Sequence, residues 1–211
     1  MTDILKDIDE QNNKWTTYFI IILGLGSLFL GIRSRDFLET ILGLFLLGGA
    51  VFYDKTSLWK GYPLGMKLIT FFMLVAVGFG LESIDFQKER FFFGLSLTKP
   101  YAIIPSLFGF VIPLATIGLI YKRAGWKVLV GLRAFVCIDF LITYTRMLAF
   151  PLTPLLKLEN NSRLQGLAPE ALSQIEGTTK LILAIPMVII FAVSLGTLVY
   201  IYKRRTFFSK H

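Results

Sequence analysis

Long runs of apolar residues separated by short charged stretches dominate this chain, and the runs share a common length. Six of them, 15–32, 37–53, 64–81, 101–121, 128–150 and 180–202, match the roughly 17 to 25 residues that a helix needs to cross a hydrocarbon core of about 30 Å. The pattern predicts an all-α, polytopic integral membrane protein. It reads as one transmembrane domain over 15–202, a bundle of six transmembrane helices. Residues 1–14 form a polar N-terminal segment and 203–211 a basic tail. The second run is the shortest. With the first it forms a tight hairpin through Arg33, Ser34, Arg35 and Asp36; a re-entrant pair is the alternative, and two full crossings fit the lengths better.

Composition strengthens this reading. Of 211 residues, 55% are hydrophobic and 17% charged, where a soluble domain carries about 25% charged. Apolar blocks of this size exclude a disordered chain, a nucleic-acid-binding domain and a small disulfide scaffold. Cys137 stands alone and forms no intrachain disulfide. Asp3, Asp7, Asp9 and Glu10 in the first fourteen residues are foreign to a cleaved signal peptide, so the first run is expected to be retained.

Six crossings place both termini on one side, and orientation then follows from the Lys and Arg balance. Thirteen of the 22 basic residues fall on the terminal side and nine on the other, while the acids favour the other side. Both termini are therefore expected to be cytoplasmic. Trp15, Trp59 and Trp126 all fall at the terminal-side boundary, as an aromatic belt requires.

Two external connections are longer than turns. Residues 82–100 mix charge with Phe91, Phe92 and Phe93, the pattern of a segment lying at the interface. In 151–179, Ala168-Pro169-Glu170 followed by Gly177 predicts a short surface helix ending at the glycine. Asn160-Asn161-Ser162 is a glycosylation sequon on the expected external side. Tyr53-Asp54-Lys55, Trp59-Lys60, Gly65 and Lys67 recur as Tyr121-Lys122-Arg123, Trp126-Lys127, Gly131 and Arg133. This is either a parallel repeat of a hairpin or the common composition of cytoplasmic loops.

Candidate chemistry concentrates in the fifth run. Asp139 lies at its centre, where a charge costs about 2.5 to 3.5 kcal/mol and needs a partner or a wet cavity. At about 100° per residue, Arg146 is rotated only about 20° from Asp139 and lies about 10.5 Å along the axis. Asp139, Thr143 and Arg146 thus share a polar face, read either as a buried ion pair or as a site in a transport path. Tyr144, Pro113 and Pro186 are candidate path-lining residues, the prolines because each frees a carbonyl. Arg133, Lys203, Arg204 and Arg205 are expected to anchor lipid headgroups.

The sole histidine, His211, ends the chain, and neither a catalytic triad nor a phosphate-binding glycine loop is present. No catalytic residue, metal site or cofactor is therefore assigned. The expected role is non-catalytic, that of an accessory or scaffold subunit. Its partners would be the lipid bilayer, another membrane protein or a second copy of itself, and not nucleic acid. Two alternatives stand beside it: a small proton- or ion-coupled transporter using Asp139, and a lipid-modifying enzyme acting at the external interface through 82–100 and 151–179.

Overall fold

The computed structural model describes residues 2–53, 55, 58–82, 90–92, 95–97, 101, 103–149 and 169–208. These are overwhelmingly helical: α1 (Thr2–Ser34), α2 (Phe37–Phe52), α3 (Leu64–Glu82), α4 (Ile103–Tyr121), α5 (Trp126–Ala149) and α6 (Pro169–Lys203), then a 3-10 turn at Arg205–Phe207. Between α3 and α4 a short antiparallel ladder, β1 (Arg90–Phe92) with β2 (Leu95–Leu97), pairs Phe91 with Ser96. Most of 82–100 and 151–179, including the sequon at Asn160, lies outside the described residues.

Four stretches are long and apolar enough to cross a membrane: Gln11–Ser34, Leu64–Leu81, Ile103–Tyr121 and Trp126–Arg146. Two more apolar helical stretches, Phe37–Phe52 and Val188–Lys203, are shorter. The chain is accordingly membrane-associated.

Two helices run further than their apolar blocks. The polar N-terminal segment is helical from Thr2 and continues into the first apolar run. Thr16 and Thr17 donate to the carbonyls of Asn12 and Asn13 across that junction. The surface helix expected to stop at Gly177 does not stop there, and α6 continues unbroken from Pro169 to Lys203. Glu176 and Lys180 form a 3.0 Å ion pair one helical turn apart, and Thr178 and Thr179 donate to the carbonyls of Gln174 and Ile175. All three span the glycine, and the ion pair offsets part of its poor helix propensity.

By internal contacts the chain divides into two units. The first comprises α1 to α4, the opening of α5 and the C-terminal 3-10 turn; the second holds the β ladder, the rest of α5 and α6.

In the first unit, α1 and α2 form a hairpin closed by two residues. Arg35 takes a left-handed φ of 59°, the Asp36 N–H donates to the Gly31 carbonyl at 2.8 Å, and the Asp36 carboxylate caps α2 by accepting from Leu38 and Glu39. The helices then approach backbone to backbone. A Cβ placed on Gly43 would stand 2.5 Å from the Leu28 nitrogen and 2.9 Å from the Gly24 carbonyl oxygen. A Cβ on Gly31 would collide with the Thr40 backbone. Leu28, fully buried, also places its side chain where Gly78 of α3 has none.

Pro113 interrupts α4 and gives no N–H to the Gly109 carbonyl. That oxygen is met from α3, where a Cβ on Gly80 would lie only 3.1 Å away. Glycine at 80 lets its Cα–H approach the freed carbonyl, a weak contact but the available one in an apolar setting.

Gly43→Ala is expected to lower the unfolding free energy in mild detergent by about 1–3 kcal/mol, because backbone rather than flexible side chain must move. Gly49→Ala, where an added Cβ meets nothing within 4 Å, is expected to be neutral or mildly stabilising. Equal midpoints in a thermal or denaturant titration of the two variants would contradict the close approach.

Candidate functional site

At the end of the first unit where α1 carries Trp15 and Tyr18, three distant segments converge on one arginine. Gly61, at φ 76°, turns the chain so that Tyr62 and Pro63 lead into α3. The turn between α4 and α5 spans residues 122–125 and puts Arg123 at φ 49° and Gly125 at φ 67°. After α6 the 3-10 turn brings Phe207 and Phe208 back.

The Arg123 guanidinium lies 4.5 Å from the centroid of the Tyr62 ring and 5.1 Å from that of Phe207. The two rings meet edge to face at 5.3 Å, and Phe207 meets Phe208 in the same way. Tyr62 Oη donates to the Tyr121 carbonyl at 2.9 Å, which ties the clamp to the end of α4. Tyr121 in turn lies near Tyr18 of α1. Phe208 is buried and Phe207 half-buried. A non-glycine residue at positive φ costs of order 1 kcal/mol, so the strain at Arg123 is set against two cation–π contacts.

This clamp escaped the sequence reading. Its members are far apart in the chain, and the only local signal was a Phe pair directly after the basic tail residues. The tail expected to anchor headgroups packs through Phe207 and Phe208, while Lys203, Arg204 and Arg205 are exposed.

The polar face expected on α5 belongs to the second unit. The helix is continuous, so Asp139, Thr143 and Arg146 lie along one face, all three half-buried together with Tyr144. Their helical neighbours Ile138, Leu141 and Ile142 are exposed. Arg133, expected to anchor headgroups, is 3% exposed. Lys67 of α3, at 8%, is another buried cation. Trp59, assigned to the aromatic belt, is also buried at 2%, whereas Trp15 is exposed. The matched loops of the sequence repeat are therefore packed differently, since Trp126 is only half-buried. Pro113 is buried in the first unit and its freed carbonyl is met locally, whereas Pro186 lies within α6 of the second.

Among the described residues no group of three or more His, Cys, Asp or Glu is placed to hold a metal ion. No protein-family model, curated protein or solved structure matches this chain.

Phe207→Ala is expected to release the tail, so that trypsin cuts the full-length protein at 203–205 several-fold faster. In a double-mutant cycle with Arg123→Ala, the coupling is expected at about 0.5–1 kcal/mol. Unchanged cleavage would mean that the clamp does not hold the tail.

Proposed function

We propose that this chain is a six-pass integral membrane protein of non-catalytic type, with both termini cytoplasmic. It works through contacts with a partner membrane protein, a second copy of itself or lipid. The observation that carries this reading is the exposed surface of its helices. Large apolar side chains such as Phe19, Ile22, Phe45, Leu181 and Ile185 are each more than half exposed, far beyond what water tolerates on one small protein. The 16-residue α2 reaches about 24 Å, short of the core thickness by an amount that local thinning of the bilayer accommodates. The excess of Lys and Arg on the terminal side favours the cytoplasmic assignment.

Purification in mild detergent from the native membrane, with mass spectrometry of what accompanies the chain, is expected to return a stoichiometric partner or a homo-oligomer. Recovery as a lone monomer would count against the accessory role. Topology is tested separately with Cys137→Ala carrying a single cysteine at Arg35 or at Lys55. An impermeant thiol reagent applied to intact cells is expected to label position 35 and spare 55.

A second reading rests on α5. A carboxylate half-buried at mid-helix beside a threonine and an arginine on the same face is what a proton- or ion-coupled path would use. On that reading Asp139→Asn folds normally and loses flux in reconstituted vesicles. A structural ion pair instead gives lower stability, partly rescued by neutralising Arg146 as well.

A further inference from the structure

The Arg123 clamp leaves the chemistry of the arginine incomplete. Tyr62 and Phe207 cover its guanidinium at 4.5 and 5.1 Å, yet the N–H donors of a guanidinium lie in its plane and point outward from its edge. The guanidinium makes no hydrogen bond or ion pair with a described residue, and the side chain is half-buried rather than fully solvated. Two carboxylates of this unit, Asp36 and Glu39, sit at the hairpin turn at the opposite end of α1 and α2. Lys122, in the same turn as Arg123, and Lys127, at the start of α5, are exposed.

Depth narrows the ligand. Arg123 lies two residues beyond Tyr121, the end of one apolar stretch, and three before Trp126, the start of the next. Tyr62 stands two residues before Leu64, which opens a third. Chain ends that close to apolar spans lie at the level of lipid phosphates. A flat cation packed against two rings on one side keeps an edge free, which suits bidentate recognition of a phosphate oxyanion.

We propose that the edge of Arg123, walled by Tyr62 and Phe207, binds the phosphate of an anionic phospholipid headgroup. This rests on the membrane-spanning reading above and gives its lipid contact a specific site.

The test uses the full-length protein in mild detergent. It is titrated separately with phosphatidic acid, phosphatidylcholine and inorganic phosphate, and bound species are counted by native mass spectrometry. Phosphatidic acid is expected to bind about tenfold more tightly than phosphatidylcholine. Arg123→Gln is expected to bring the two within about twofold, and Lys122→Gln, at an exposed lysine of the same turn, to leave the preference intact. Arg123→Lys keeps a cation against the rings but loses the fork, and is expected to lose most of the preference while remaining folded. A preference that survives Arg123→Lys overturns the site, as does an equal loss in Lys122→Gln, which would mark diffuse attraction. Displacement of phosphatidic acid by millimolar inorganic phosphate overturns the assignment to lipid. A protein that binds both lipids equally refutes this site alone; one that stays soluble without detergent and binds neither refutes the membrane reading itself.

Discussion

Leu28 is the point on which the first unit turns. Its backbone lies against Gly43 of α2 and its side chain fills the space left by Gly78 of α3, so one residue touches two helices where neither has a Cβ. Between helices in lipid the hydrophobic effect supplies little attraction, because acyl chains solvate leucine as well as another leucine does. What remains is dispersion at close range, which falls steeply with a gap of even half an ångström. Gly24, Gly31, Gly43 and Gly78 make that range available. With α1, α2 and α3 registered in this way, Tyr18 comes within reach of Tyr121, and the loop carrying Tyr62 meets the turn carrying Arg123.

The same apolar surroundings govern the polar groups. A carbonyl freed by Pro113 has no water to turn to, and α3 presents Gly80 to it. Buried hydroxyls such as that of Thr116 donate back to their own helix, here to the Ile112 carbonyl at 2.8 Å. Asp36 satisfies the first N–H groups of α2 with its own carboxylate. Each of these solutions is local, and each leaves a helix end or a helix interruption without stranded polarity.

The features legible from the residues were those set by near neighbours. Apolar run length located the helices, and Asp36 beside Arg35 marked the hairpin turn, since capping and run length are properties of consecutive residues. Helix continuity through Gly177 was misread because a glycine was weighed without the Glu176–Lys180 pair that bridges it. Trp59 and Arg133 were assigned to the membrane boundary by residue type, yet type says nothing of whether a neighbouring segment will cover the side chain. The clamp was beyond reach for the same reason: Tyr62, Arg123 and Phe207 meet only once tertiary packing exists. The face shared by Asp139, Thr143 and Arg146 could be laid out in advance because it lies along a single helix.

The unbroken course of α6 carries a mechanical consequence. Thirty-five residues make a rod of about 52 Å, while the hydrocarbon core is about 30 Å thick. The rod is longer than such a core is thick by roughly 20 Å, and its polar end carries Glu170, Glu176 and Lys180. The Glu176–Lys180 pair spans Gly177, and the helix runs from its polar end into its apolar stretch without a break there. Leverage applied to its polar tip is conveyed along the axis as far as Pro186, where the carbonyl freed by the proline gives the rod a hinge.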